Sequence, residues 1–327
     1  MKKLLVIVLS VTMVLVFAAV SMAEVTFGGE IDAGYKGYSS DTYNDQSMSY
    51  LFAKLIANVK LGDSVTGLMV IKNADADITD GQGTTDPADP KSTNQYAAAS
   101  NLGSFAFDEA SITIAQPFGN IKAGYYNWNP NLKDVISGYR GDLKNDVNVG
   151  ATINIMNHFS LDFAYGIPTT DKAGNTDGTN AAKYGVRLAY TTDHFGADVN
   201  YSSNTFGAAG PITTLTDKNG DACTITGVDV WYFINGFKPY IQYEVVNDTT
   251  YKDDPTNIIL GFIYDSADVP VYGRFEYDLS DSNGKEQEMG VRVGYKFESG
   301  VKLQGQYKEN INGTKDSKEY IKLVLPF

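Results

Sequence analysis

A single cysteine, Cys223, stands in 327 residues, so no disulfide can close within the chain. Histidine is almost as scarce: His158 and His194 are the only two, and neither has the Ser and Asp spacing of a hydrolytic triad. Both read as turn residues. Basic residues number 26 against 39 acidic ones, a balance that argues against nucleic acid as a partner. Walker, dinucleotide-binding and CxxC patterns are absent. The run Asp75-Ala76-Asp77-Ile78-Thr79-Asp80-Gly81 departs from a calcium loop, because the ligand spacing breaks after Asp77 and no Glu stands at the twelfth position. Catalytic residues, metal and cofactor are therefore all expected to be none, and the protein is not expected to be an enzyme.

Long hydrophobic runs are missing too, with one exception. Met1–Ala23 joins Lys2 and Lys3 to an apolar run from Leu4 to Val20 and ends Ser21-Met22-Ala23, the pattern of a cleaved secretory signal peptide. Its removal takes away two lysines and moves the formal charge from −13 to −15. Beyond it, nothing approaches the roughly 18 apolar residues that a membrane-spanning helix needs. Any insertion of residues 24–327 into a bilayer would have to be by a closed β-barrel.

What fills the rest of the chain is alternation. In Glu319–Phe327 the residues Ile321, Leu323, Leu325 and Phe327 fall at every second position and share one face. A terminal strand this greasy would leave a sticky edge in an open sheet, and pairing with the first strand removes it. In Val25–Tyr38, Val25, Phe27, Ile31, Ala33 and Tyr35 oppose Glu30, Asp32 and Lys36 in the same way. Asn235-Gly236 between Ile225–Ile234 and Phe237–Val245 is the dipeptide of a two-residue hairpin. Further runs bring the count to about sixteen, with short and long connections in alternation, as in an up-and-down antiparallel barrel. Cys223 reads as a bystander thiol in the loop Thr205–Thr224.

One face of most strands is nearly free of charge. The other carries Glu30, Asp32, Lys36, Lys54, Glu109, Lys122, Arg187, Arg274 and Arg292, with Asp162, Asp198, Lys238, Glu244, Glu276, Lys302 and Gln304. A charge facing lipid costs about 2–4 kcal/mol at mid-membrane, which explains so strict a bar. Tyr35, Tyr190, Tyr201, Tyr243, Tyr264, Tyr277, Tyr295 and Tyr307 stand at strand ends, where interfacial girdles sit. The fold expected is all-β, a transmembrane barrel of the Gram-negative outer membrane, in contact with outer-membrane lipid and lipopolysaccharide. Tyr50, Phe52, Trp231, Phe233, Tyr240 and Tyr272 fall on the lumenal face and read as wall packing, since they form no evident continuous row; the alternative is a sugar-stacking track.

The order of three stretches resembles the general bacterial porins. These are Val25-Thr26-Phe27-Gly28-Gly29-Glu30-Ile31-Asp32-Ala33-Gly34-Tyr35 after the leader, Phe107-Asp108-Glu109-Ala110 leading to Phe118-Gly119-Asn120-Ile121-Lys122-Ala123-Gly124, and the terminal Phe327. The resemblance implies a sixteen-stranded porin, a homotrimer, whose third long loop folds into the lumen and narrows it. Here that loop is Asn129–Leu143, with Lys133, Asp134, Tyr139, Arg140 and Asp142 as candidate constriction residues. The wall departs from the family pattern, since the chain has only four arginines and its third loop is near neutral. The function expected is passive diffusion of ions and small hydrophilic solutes with cation preference. The alternatives are a substrate-specific sugar channel, or a structural barrel or sleeve around a partner protein.

Overall fold

The structure, a computed structural model, describes residues 23–40, 46–73, 105–128, 143–166, 183–205, 222–247, 256–279, 287–311 and 316–327. Sixteen strands account for nearly all of them: β1 (Ala23–Ser40), β2 (Gln46–Leu61), β3 (Val65–Asn73), β4 (Phe105–Gln116), β5 (Gly119–Trp128), β6 (Leu143–Met156), β7 (Phe159–Gly166) and β8 (Lys183–Thr191). The second half repeats the plan with β9 (Phe195–Thr205), β10 (Ala222–Tyr232), β11 (Phe237–Asn247), β12 (Thr256–Asp265), β13 (Val271–Asp278), β14 (Glu288–Lys296), β15 (Lys302–Asn310) and β16 (Asp316–Pro326). Each strand pairs antiparallel with its sequence neighbours, and β1 pairs with β16, so the sheet is a closed barrel. The leader Met1–Ala23, apart from Ala23 itself, lies outside the described residues, and so does residue range 129–142.

Closure rests on the two ends of the chain. Ile31 faces Leu325, Ala33 faces Leu323 and Tyr35 faces Ile321, so the greasy faces of the first and last strands merge. Both backbone groups of Phe327 are bonded to Gly29, at 3.0 and 3.1 Å. Glycine is required there, because a Cβ would stand 2.5 Å from the Phe327 ring and overlap the Lys54 carbonyl oxygen. At Asn235 and Gly236 both φ angles are positive, 48° and 82°, as a tight hairpin turn with the right twist demands.

The distribution of burial is inverted relative to a water-soluble sheet. Among the described residues forty large apolar or aromatic side chains are exposed, whereas Asp229, Glu244, Asn257 and Glu276 are at 0%. Such a surface is far larger than the few hundred Å² of contiguous apolar patch that a soluble monomer tolerates. It is sorted by height as well. On β8, β9 and β11 the outward positions run from Tyr190, Phe195 and Phe237 near the short turns, through Leu188, Val199 and Ile241, to Tyr184, Tyr201 and Tyr243. Two aromatic girdles thus bracket an aliphatic band, six residues apart or about 20 Å along the strand at ~3.3 Å per residue.

Strand ends facing the longer connections run further than the alternation alone indicates. Cys223 is one consequence: it belongs to β10, opposite Asn204 of β9, and not to a loop. Both histidines do lie at short turns, His158 with Nδ1 3.0 Å from the Thr191 carbonyl oxygen and His194 with Nδ1 3.3 Å from that of Phe233.

Candidate functional site: the inner wall of the barrel

Period-two alternation turns every second side chain inward, and the register decides which of them meet. All nine wall residues read from the sequence lie on the polar inner face. Glu30 stands opposite Lys54 with 3.8 Å between their charged atoms, and Asp32 holds Lys322 at 2.6 Å across the β1–β16 seam. Lys36 shares a level with Tyr320 of β16. Glu109 takes Lys122 at 2.6 Å and the Ser111 hydroxyl at 2.7 Å.

Arg187 bridges two acids on the strands to either side, Asp162 of β7 at 3.2 Å and Asp198 of β9 at 2.9 Å. Arg274 donates from Nε to Glu276 at 2.6 Å and from Nη2 to the Tyr240 hydroxyl at 3.1 Å, and Tyr240 donates in turn to Glu276. Arg292 donates from Nε to Gln306 at 2.9 Å. The constriction candidates Lys133, Asp134, Tyr139, Arg140 and Asp142 lie outside the described residues.

Several wall groups escape a strand-by-strand reading. Glu244 is enclosed and accepts from Gln242 at 2.6 Å and from Asn257 at 3.4 Å. Asp229 and Asp278 are buried on the same part of the wall. Their signal is present as alternating polar positions, Asp198, Asn200 and Ser202 on β9 beside Gln242 and Glu244 on β11, but only the register shows them as one surface. Among the described residues no group of three or more His, Cys, Asp and Glu is arranged to hold a metal ion.

Three of the lumenal aromatics, Trp231, Tyr240 and Tyr272, are laid into the wall. Trp231 and Tyr240 face each other across β10 and β11 and pack with Ile259 and Ile263. The Trp231 ring covers Gly196, Tyr240 covers Gly261, and Tyr272 covers Gly294; a Cβ at each glycine would fall within 2.5 Å of the ring. Lys238 and Arg274 sit over Trp231 and Tyr240 at 4.9 and 5.6 Å. For these three the contacts are those of wall packing. Phe233 differs, lying exposed in the turn between β10 and β11.

A closed barrel with a polar, ion-paired interior and an apolar, girdled exterior defines a membrane-spanning channel protein. The chain belongs to the Gram-negative porin family, whose model matches residues 10–315. It is thus an outer-membrane porin, a channel protein by family and fold. Solved structures with a similar fold include the OmpF porin of Salmonella typhi in complex with daunomycin, at 14% identity and TM-score 0.60 over 93% of this chain and 97% of that one. OmpT of Vibrio cholerae in its trimer form matches at 14% identity and TM-score 0.56, over 93% and 99%. A mutant of the Rh. blastica porin matches at 13% and 0.56, over 93% and 100%. No curated protein sequence matches the chain.

Proposed function

We propose that this porin forms a water-filled channel for passive diffusion of ions and small hydrophilic solutes, with cation preference, and that it works as a homotrimer once Met1–Ala23 has been cleaved. The carrying observation is the inverted burial: charged and amide side chains inside a sixteen-stranded closed sheet, apolar ones outside. Barrels of 16–18 strands are wide enough for an aqueous lumen. The trimeric form of the similar Vibrio cholerae protein supports the assembly, as do the small outward residues Ala53, Ala57 and Ala110. Lipid and lipopolysaccharide are then the partners of the remaining outer face.

Cation preference rests on the longer connections. Ser39–Asp45, Asp77–Gly103, Pro168–Ala182, Thr205–Thr224, Asp248–Pro255 and Asp281–Glu286 carry fifteen acids and five lysines, a net −10. All these stretches leave the barrel at the same rim, because the short turns occupy the other. A mouth of one sign with low-dielectric walls concentrates counter-ions. The wall is divided, with acids dominating β9–β13 through Asp198, Asp229, Glu244, Glu276 and Asp278 and lysines dominating the inner face of β14–β16 and β1–β3, so the mouth sets the sign. Asn129–Leu143, near neutral, is the proposed constriction, with Lys133, Asp134, Tyr139, Arg140 and Asp142 at its narrowest point.

Planar-bilayer recording tests the reading. Steady conductance is expected, with reversal potentials in a potassium chloride gradient near 0.1 M showing cation preference. The preference should weaken towards 1 M, where the Debye length falls from about 10 Å to about 3 Å. Asp→Asn changes at Asp248, Asp253 and Asp254 should reduce it. Anion preference at 0.1 M would refute the rim argument, and negligible conductance until a sugar or protein is removed would favour a specific channel or a sleeve.

A further inference from the structure

The inner wall differs in openness from one sector to the next. On β10–β13 the acids Asp229, Glu244 and Glu276 are sealed at 0% exposure, so a passing solute cannot reach them. On β13–β16, by contrast, Tyr272, Arg292, Gln304, Gln306 and Tyr320 are all half-buried, with polar ends bound into one network. The Tyr272 hydroxyl donates to Gln304 Oε1 at 3.0 Å, Gln304 Nε2 donates to the Tyr320 hydroxyl at 2.5 Å, and Tyr320 donates to Gln306 Oε1 at 3.0 Å. Arg292 Nε donates to the same Gln306 oxygen at 2.9 Å.

Donors and acceptors do not balance in this network. Both amide oxygens are occupied from within it, that of Gln306 twice. Left over among the described residues are mostly donors, the terminal N–H groups of Arg292, the Gln306 Nε2 amide and one Gln304 Nε2 hydrogen, against acceptor capacity on the two phenol oxygens and Gln304 Oε1. The lysines sharpen the asymmetry. Lys322 is neutralised by Asp32 at 2.6 Å and Lys296 by Asp265, but Lys302, opposite Lys296, has no acid partner among the described residues. Arg292 and Gln306 are directly opposite each other, at the middle of β14 and on the inner face of β15. Same-face neighbours across a strand pair stand about 5 Å apart, the span of one carboxylate held between two donors.

We propose that this strip is a solute subsite for small sugar acids. The carboxylate is taken by the Arg292 fork and the Gln306 amide, since an ionised carboxylate accepts only and suits a planar guanidinium. The hydroxyls of the solute exchange hydrogen bonds with the Tyr272 and Tyr320 phenols, and Lys302 draws the anion in. The subsite rests on the reading of the lumen as a conducting pore; the acidic mouth slows the entry of anions, and the subsite retains those that pass it.

The test is single-channel recording of the full chain with galacturonate, against galactose as the uncharged control. Galacturonate should block current saturably at millimolar concentration, and galactose should not. Arg292→Gln should raise the half-blocking concentration about tenfold, and Arg292→Lys should give an intermediate value, because it keeps the charge without the fork. Lys60→Gln removes one positive charge from the inner face of β2 near the Gly62 turn and should leave the block unchanged. Should Arg292→Gln fail to fold, Gln306→Glu places an anion at the same spot and should abolish block. A conducting channel that galacturonate does not block, or one in which Lys60→Gln weakens block as much as Arg292→Gln, would overturn the subsite. A chain that conducts nothing would instead overturn the channel reading beneath it.

Discussion

Replacing Arg187 by Gln removes the one cation between Asp162 and Asp198. The side chain of Asp198 is 1% exposed, that of Asp162 15% and that of Arg187 25%, so water can reach only part of the triad. Without the guanidinium the two carboxylates face each other at roughly 6 Å, and an effective dielectric of about 20 gives a repulsion of ~3 kcal/mol. Breaking a buried pair by deleting one partner costs about 3–5 kcal/mol, and the partial exposure of Arg187 lowers the expectation to about 2–3 kcal/mol. Urea unfolding of the barrel in lipid vesicles, followed by the fluorescence of Trp128 and Trp231, measures it through linear extrapolation. Adding Asp198→Asn to Arg187→Gln removes the repulsion and should recover more than half of the loss. A single variant within about 0.5 kcal/mol of the parent, or a double variant no more stable than the single, would refute the argument. In bilayers, Arg187→Gln should also raise cation permeability, because two wall acids lose their counter-ion.

Gly29→Leu should prevent the ends of the chain from meeting, because its side chain would occupy the place of the Phe327 ring; an unheated detergent gel should show loss of the compact form, and normal mobility would mean that the seam tolerates displacement. Deleting about six residues within Asn129–Leu143 should enlarge single-channel conductance, and an unchanged value would assign the narrowing to another connection. Unheated protein should migrate as a compact oligomer and, after boiling, as a monomer near its chain mass. Monomeric mobility without heating would exclude the trimer and leave the barrel standing.

Much of the architecture is local and therefore legible. Whether Ile321, Leu323 and Leu325 share a face depends only on the two-residue period of an extended chain, and Asn235-Gly236 marks its hairpin by backbone preference alone. Even the meeting of β1 and β16 follows from the need to bury two open edges. Charge barred from one face over so many strands also identifies lipid as the solvent on that side. Those are properties of single strands and turns.

Register is different, because it couples residues that are remote in sequence and a shift of one position changes every neighbour. Asp162, Arg187 and Asp198 each read as a wall charge; only the alignment of β7, β8 and β9 makes them a triad. The same holds for Trp231 over Gly196 and Tyr272 over Gly294, where a ring on one strand needs a missing side chain on the next. Tertiary structure also decided which polar groups remain open. Alternation treats Glu276 and Arg292 alike, as inward charges within their strands. Gly261 stands opposite Glu276 and leaves room for the Tyr240 ring to lean across β12 and close over the carboxylate. Arg292 stands between Arg274 of β13 and Gln306 of β15, both full side chains, and stays half-buried at the lumen.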